Sequence, residues 1–264
     1  VINKLIDSNL LKNEIDWNEK QQLENIKSNI KNNKLKVKYI MCKYNFGRVY
    51  PLKSESLCSI RRELRHTLNY YNNEINYLDI DIVNAHPVIL NEICKNNNLN
   101  LFYLNDYVEN RENKIMEFIN VFKINRDLIK QLFLIIMYNG SINNFLKKNN
   151  IFINDNNNEL IYLKNFQNDI KTIGNILLNN NKNVISDIKT YQKNKKYEND
   201  LGLILSVYIQ DRERQILEII YNYCNKNGYI KNNDCVLCFD GIMLNDKNIF
   251  NKDELIKNLE NEIY

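Results

Sequence analysis

The sequence is poor in proline, glycine and histidine, with two prolines, six glycines and two histidines among 264 residues. These low counts accompany an excess of Asn, Lys, Ile and Tyr, which indicates an AT-rich coding sequence rather than a structural feature. No apolar run reaches the roughly 20 residues of a transmembrane helix, so no membrane span is predicted. The first residues contain acidic side chains and no cleavage-like site, so no signal peptide is predicted either.

Cysteine and histidine are too few, and too scattered, for a predicted zinc site. Six cysteines are present, and only Cys235 and Cys238 form a CxxC pair. Zinc would need two more ligands, and the two histidines, His66 and His86, lie in other contexts. We therefore expect buried, reduced thiols in an intracellular protein.

The chain also has little excess of positive charge, since its net charge is only +4. A basic groove for nucleic acid would therefore need local clustering of cations. Hydrophobic residues make up 44% of the chain, which is enough for a packed core. The length suits one large domain or two closely joined subdomains. The chain begins with Val1 and could be a piece of a longer protein.

Periodicity predicts strands on both sides of a helical middle. The predicted strands are 36–41, 46–50, 77–82 and a hairpin over 235–244. The predicted helices are one or two within 1–33, and then 59–68, 86–95, 107–122, 126–138, 159–178, 201–225 and 253–264. This order predicts an α+β fold, with the helices inserted into a sheet domain.

Two acidic segments carry the strongest chemical signal. In YLDIDIVNAHPVIL, which begins at Tyr77, Asp79 and Asp81 share one face of a strand that leads into a helix. In VLCFDGIML, Asp240-Gly241 suits a tight hairpin turn and would present another carboxylate. Neighbouring carboxylates repel unless cations neutralise them, which predicts two Mg²⁺ ions and phosphoryl transfer. Taken alone, each segment also fits an ordinary turn or a strand edge with solvated acids.

The predicted helix over 126–138 carries a third candidate site. Arg126 and Lys130 lie four residues apart on one face, which Leu134 and Tyr138 continue. Two cations and a flat ring match the phosphates and the base of a nucleoside triphosphate. The alternative is an ordinary amphipathic helix with a charged first turn.

The order and spacing of these segments resemble the family A DNA polymerases, above all the compact A-like polymerases of transposons, virophages, large DNA viruses and phages. The similarity covers roughly residues 46–245. The matching positions are Gly47-Arg48, 57–60, Arg61, Arg62, Arg65, Asp81, Arg126, Lys130, Tyr138, Gln210 and 239–241. His86 departs from the pattern, because the family has there a Glu that excludes ribose. Phe239 and Gly241 depart too, because they replace a His and a Glu.

The resemblance implies a template-directed DNA polymerase that extends a primer 3′-hydroxyl with dNTPs, assisted by two Mg²⁺ ions. It implies a palm made of an antiparallel sheet with helices, an inserted helical fingers subdomain and a reduced or absent thumb. The implied divisions are a helical extension at 1–45, the first palm part at 46–100, the fingers at 101–200 and the second palm part at 201–264.

The resemblance also implies a role for each matching residue. Catalysis is expected from Asp81, Asp240 and Lys130. Nucleotide binding is expected from Arg126, Lys130, Leu134, Tyr138, His86 and Asn84. Nucleic-acid binding is expected from Arg48, Arg61, Arg62, Arg65 and Gln210. The expected metal ligands are Asp81, Asp240 and Asp79.

The implied partners are a DNA primer-template, dNTPs and a helicase or primase of the same polyprotein or replisome, without a membrane. The implied location is a viral or mobile-element replication site in the host cytoplasm or nucleus. One alternative is a primase or RNA polymerase of the same fold that uses rNTPs. Others are a non-catalytic nucleic-acid-binding relic of a polymerase and a two-metal nuclease.

Overall fold

The computed structural model describes residues 2–8, 11–14, 17–32, 34–41, 45–52, 56–71, 74–191 and 199–263. The helices are α1 (Ile2–Ile6), α2 (Glu19–Asn29), α3 (Arg62–Asn69), α4 (Ala85–Asn96), α5 (Phe102–Glu109), α6 (Arg111–Phe122), α7 (Arg126–Met137), α8 (Ile142–Lys148), α9 (Asn158–Asn180), α10 (Lys182–Tyr191), α11 (Asp200–Lys226) and α12 (Lys252–Ile263). The strands are β1 (Asn13–Glu14), β2 (Trp17–Asn18), β3 (Ile30–Lys31), β4 (Lys34–Leu35), β5 (Tyr39–Met41), β6 (Val49–Pro51), β7 (Tyr70–Tyr71), β8 (Glu74–Ile75), β9 (Tyr77–Asp81), β10 (Cys235–Cys238) and β11 (Gly241–Asn245).

The chain folds into two compact units. The first unit consists of Val1–Cys42, Arg48–Ile82 and Glu213–Tyr264, and the second of Lys43–Gly47 and Val83–Arg212. The boundary between 82 and 83 falls directly after β9, and the boundary between 212 and 213 falls within α11. The four functional divisions predicted from the sequence stay a prediction.

The first unit contains an antiparallel three-stranded sheet in which β11 lies between β10 and β9. Side chains alternate between the two faces of such a sheet. One face packs Ile80, Ile242 and Leu244 into a core built with α11 and α12. The opposite face carries Asp79 and Asp81. One face therefore belongs to the apolar core, whereas the opposite face combines the buried Met243 and Cys238 with the two carboxylates.

Cysteine thiols lie on both sides of this sheet. Cys58 and Cys238 cluster with Met243 on the acidic face, whereas Cys224 belongs to the core of the other face. Burial raises the pKa of Cys238 to about 12 and that of Cys235 to about 11. The cysteines in the described part of the chain form no disulfide, and all of them are buried except Cys235, which is half-buried.

The second unit is helical and has an aromatic core. The rings of Tyr107 and Phe133 stack with centroids 4.0 Å apart, and Phe118 and Phe166 pack edge-on against Phe133. The Asp169 carboxylate accepts the backbone N–H groups of Tyr103 and Leu104, and so satisfies donors in the first turn of α5. These contacts hold α9 against α5 and α7.

The predicted α+β class is confirmed in this coarse form, but no described feature identifies the sheet as a polymerase palm. The helix predicted over 107–122 is wrong in detail, because the chain breaks at Asn110 into α5 and α6. The structure adds α8 and α10, which the Asn-rich flanking segments conceal in the sequence. Among the described residues, no helix combines the length and apolar character needed to span a bilayer.

Candidate functional site

The structure brings Asp81 and Asp240 together at one end of the three-stranded sheet. Asp81, the last residue of β9, lies opposite Gly241 in the antiparallel register. The next residue, Ile82, donates its N–H to the carbonyl oxygen of Asp240 at 2.9 Å. These two acids are more than 150 positions apart in the sequence, so only strand pairing makes them neighbours. Their predicted roles in catalysis and metal binding stay predictions.

Asp79, the third predicted metal ligand, is engaged by a cation of the protein itself. Arg65 on α3 lies 3.5 Å from the Asp79 carboxylate and 3.7 Å from the Cys238 sulfur. The second oxygen of Asp79 is buried without a hydrogen-bond partner. Among the described residues, no group of three or more His, Cys, Asp or Glu side chains is arranged to hold a metal ion. Because Arg65 already pairs with Asp79, Asp81 and Asp240 are the better candidates for metal ligands.

The acidic face carries more negative than positive charge near Asp81. Loss of hydration raises the pKa of the Asp81 carboxyl, although the residue as a whole is exposed, and the charges of Asp79 and Asp240 raise it further. Arg65 and Arg62 act in the opposite direction but do not compensate fully. A bound cation or a proton would therefore relieve repulsion at this end of the sheet.

Asp81→Asn is accordingly expected to make the protein more stable at pH 7 than the parent. The folded state holds the Asp81 proton more tightly than the unfolded state, so parental stability falls as pH rises through the raised pKa. The advantage of the Asn variant should therefore shrink between pH 7 and pH 4. Urea unfolding followed by circular dichroism measures this difference at both pH values.

The control for this experiment is Asp187→Asn, which removes an exposed carboxylate from α10. It should change stability little at either pH. If Asp81→Asn proved less stable than the parent at pH 7, the Asp81 carboxylate would be making a net stabilising contact and the repulsion described here would be refuted.

The hairpin turn lies one residue earlier in the chain than the sequence predicted. Cys238 pairs with Gly241, so Phe239 and Asp240 form the two-residue turn, and Gly241 is the first residue of β11. Phe239 has a φ of 46°, in the left-handed region that non-glycine residues rarely adopt. Gly241 is needed for a different reason, since a Cβ there would collide with the Ile80 carbonyl oxygen and the Asp81 carboxylate. The glycine permits close contact with Asp81.

Arg48 stabilises this turn through its contact with the Phe239 ring. Its guanidinium lies 4.9 Å from the ring centroid of Phe239, and Tyr50 packs edge-on against the same ring. The guanidinium also forms an ion pair of 2.6 Å with Glu213, whose side chain is fully buried. The structure therefore places Arg48 in the support of the turn, whereas the sequence predicted contact with nucleic acid.

The other three arginines that are predicted to bind nucleic acid differ in how strongly acidic groups of the protein already engage their guanidinium groups. Arg61 forms a 2.8 Å ion pair with the buried Glu19, and Arg65 pairs with Asp79. Arg62 is exposed on α3 and donates to a ring nitrogen of His66 at 3.1 Å. Of these three, Arg62 is the best placed to meet a phosphate near Asp81. Nucleic-acid binding by the whole group stays a prediction.

The predicted nucleotide-binding residues lie in the second unit. His86 on α4 and Tyr138 after α7 are hydrogen-bonded, with 2.6 Å between the His86 Nδ1 and the Tyr138 hydroxyl. Arg126 forms an exposed 2.7 Å ion pair with Glu112, and Lys130 lies 4.0 Å from Asp127.

Three further predicted residues also belong to the second unit. Leu134 is an exposed apolar residue on α7. Gln210 donates to the Ser206 hydroxyl on its own helix at 3.1 Å. Asn84 is the N-cap of α4, with a φ of 54° and no capping hydrogen bond from its side chain. The nucleotide and nucleic-acid roles of these residues stay predictions.

Sequence reasoning missed Glu213 and the contact role of Gly241. Glu213 lies in a polar stretch of α11, and nothing in the spacing of that stretch distinguishes a buried carboxylate from an exposed one. For Gly241 the signal was present, because a glycine after an acidic turn residue can mark close backbone approach rather than turn geometry.

Comparison with known proteins found a relative among virophage proteins. The chain is 32% identical over 224 residues to the protein named "Putative helicase V13" of Sputnik virophage. The aligned region covers 83% of this chain and 26% of the relative, so the chain spans about a quarter of that protein's length. No protein-family model matches the chain, and no solved structure matches it.

This comparison overturns the resemblance to the family A DNA polymerases. The relative is named as a helicase, and no polymerase family is indicated. The predicted DNA polymerase activity is therefore wrong, and its primase, RNA polymerase and relic alternatives are not supported. The physical reason is that the matching motifs are short. Strand-tip acids, an Arg and a Lys four residues apart and an Asp-Gly pair occur wherever strands, helices and turns need them.

Proposed function

We propose that this chain acts as the nucleic-acid-binding part of a helicase-type protein, and that it holds a backbone phosphate through Mg²⁺ on Asp81 and Asp240. The observation that carries the proposal is the juxtaposition of these two acids at one end of the sheet. The name of the virophage relative supports nucleic acid as the partner.

Two carboxylates are too few for a metal site built from protein ligands alone, but they suit magnesium. Mg²⁺ keeps several water ligands and commonly takes one or two carboxylates together with phosphate oxygens. Asp81 and Asp240 supply that number, and the unrelieved repulsion around Asp81 favours a cation. A phosphate would complete the ligand set, which explains how the acidic end of a sheet could bind a polyanion. The exposed Arg62 would add a direct contact with the backbone.

The helicase name is compatible with a division of labour within a longer polypeptide. The P-loop that cradles nucleotide phosphates in many motor proteins contains Gly-Lys followed by Ser or Thr. None of the six glycines in these 264 residues precedes a lysine. We therefore assign contact with nucleic acid to this chain, and strand separation to the protein as a whole.

Removal of magnesium is expected to weaken binding of single-stranded DNA by about tenfold or more, the equivalent of about 1.4 kcal/mol. The measurement is fluorescence anisotropy of a labelled oligonucleotide in MgCl₂ or in EDTA, with ionic strength held constant because phosphate contacts are salt-dependent. Asp81→Asn and Asp240→Asn should each bind in MgCl₂ as weakly as the parent binds in EDTA.

The matched control is again Asp187→Asn, which makes the same chemical change at an exposed position of α10 in the second unit. It should bind like the parent and keep the response to magnesium. Equal affinity of the parent in MgCl₂ and EDTA would refute the role of magnesium. Absence of binding to any oligonucleotide would refute the proposed function.

A further inference from the structure

An open groove between α7 and α8 has no part in the site described above. It lies within the second unit, and its volume is about 310 Å³, at the lower end of the range for ligand pockets. Leu128, Ile135 and Phe145 supply its apolar lining, and Gln131 and Asn144 are exposed residues at the same groove. The groove therefore combines apolar surface with side-chain amides that solvent, and hence a ligand, can reach.

The polar groups of the groove are not engaged by the protein itself. Within the described part of the chain, no group forms a hydrogen bond or an ion pair with the side chains of Gln131, Asn144 or Lys148. Lys148 is also exposed, at the end of α8. Two amides and a cation can thus turn towards an occupant without loss of an existing contact.

The turn that ends α8 fixes the residues that follow the helix. Asn150 has a φ of 54°, and Ile151 donates its N–H to the Leu146 carbonyl oxygen at 2.9 Å, which is a common way to end a helix. Phe152 comes directly after this turn and is 92% exposed. A phenyl ring in water contributes little to folding, so its faces are available for stacking.

The charge at the end of α8 favours an anionic occupant. Lys147 and Lys148 are both exposed, and no described acidic group pairs with either of them. Acids that flank this region along the chain already face other cations. Asp127 lies 4.0 Å from Lys130, and Asp155 pairs at 3.2 Å with a lysine of α9. The two lysines of α8 are therefore suited to phosphates.

We infer that the α8 surface, which consists of the groove with Lys147, Lys148 and Phe152, binds unpaired nucleotides of a single strand. One base enters the groove, another stacks on the Phe152 ring, and the lysines contact backbone phosphates. The inference rests on the proposed function, since it requires a bound single strand. It adds a contact that needs no magnesium. Amides both donate and accept, and a ring stacks on any base, so no base preference is expected.

The test compares labelled oligo(dT) with a strand of equal length whose sugars carry no bases. Anisotropy is measured in EDTA, so that the contact through Asp81 and Asp240 does not contribute. Phe152→Ala removes a stacking surface at an exposed position. The preference for oligo(dT) over the base-free strand should fall by about fivefold or more, as expected for loss of one stacked base.

Two further variants separate contacts with the base from contacts with the backbone. Gln131→Ala combined with Asn144→Ala removes the amides, and the same preference should fall about three- to tenfold. Lys148→Gln removes one phosphate contact, so it should weaken binding of both strands alike. The loss should be about fivefold at about 0.1 M salt, and the slope of log affinity against log salt should fall by about 0.7.

Matched controls repeat two of these changes elsewhere. Phe250→Ala removes a ring of the first unit that is 94% exposed, and Lys182→Gln removes an exposed lysine at the start of α10. Both should keep the parental affinity, preference and salt dependence. Circular dichroism confirms that each variant is folded.

The outcomes distinguish the α8 surface from the proposed function. If all variants keep the parental preference and salt dependence, the α8 surface is refuted, as it would be if it bound an acidic protein segment instead, and the response to magnesium still supports the proposed function. Equal weakening of both strands by Phe152→Ala would refute stacking of a base on this ring. If the parent binds neither strand, even in MgCl₂, the proposed function fails and the inference fails with it.

Discussion

Gly241→Ala is expected to destabilise the first unit by about 3 kcal/mol and to abolish magnesium-dependent binding of nucleic acid. The added methyl group would meet the Ile80 carbonyl oxygen and the Asp81 carboxylate. A flexible side chain could move aside, but the Ile80 carbonyl belongs to the backbone of the paired strand. Relief therefore requires separation of β9 from β11, which also moves Asp81 away from Asp240.

Urea unfolding measures the stability loss, and oligonucleotide anisotropy in MgCl₂ and EDTA measures the functional loss. Gly228→Asn is the matched control, because Gly228 has a φ of 78°, open space around its Cα, and a conformation that Asn tolerates. The control should be close to the parent in both measurements. A stable Gly241→Ala variant that still responds to magnesium would contradict the close contact seen between Gly241 and β9.

Arg48→Ala is expected to cost about 3–5 kcal/mol, a large share of the stability of a typical domain. The substitution removes the guanidinium that neutralises the fully buried Glu213. It also removes the cation stacked on Phe239, so the turn that presents Asp240 loses its support. The effect should thus appear both in urea unfolding and in magnesium-dependent binding.

A second substitution tests the cause of this loss. Arg48→Ala combined with Glu213→Gln should recover part of the stability, because a buried neutral amide does not need a cation. Arg126→Ala is the contrasting control, since its ion pair with Glu112 is exposed and should contribute little. A loss from Arg48→Ala no greater than that from Arg126→Ala would show that the buried pair contributes nothing.

Local patterns in the sequence were sufficient for the elements that carry the candidate site. Alternation in YLDID correctly predicts a strand with Ile80 on the core face and Asp79 and Asp81 on the other. The helix after this strand and the hairpin near Asp240 were also predicted, because each depends on residues close in sequence. The turn was misplaced by one residue, since an Asp-Gly pair does not reveal that the glycine contacts another strand.

Function was the least predictable property from short motifs. The spacing of Arg126, Lys130 and Tyr138 suggested a polymerase, and comparison over 224 residues indicated a helicase-named relative instead. Three or four residues at helical spacing describe one face of a helix and do not specify its ligand. In the structure, Arg126 is paired with Glu112 and Tyr138 with His86.

The sequence by itself determined that β9, α4 and the hairpin near Asp240 form, and which face of β9 is acidic, because periodicity depends on neighbouring residues. Only the tertiary structure decided that Asp81 meets Asp240 and that Arg48 pairs with Glu213, 165 positions away. Contacts of that range follow from strand register and helix packing, which no local pattern encodes.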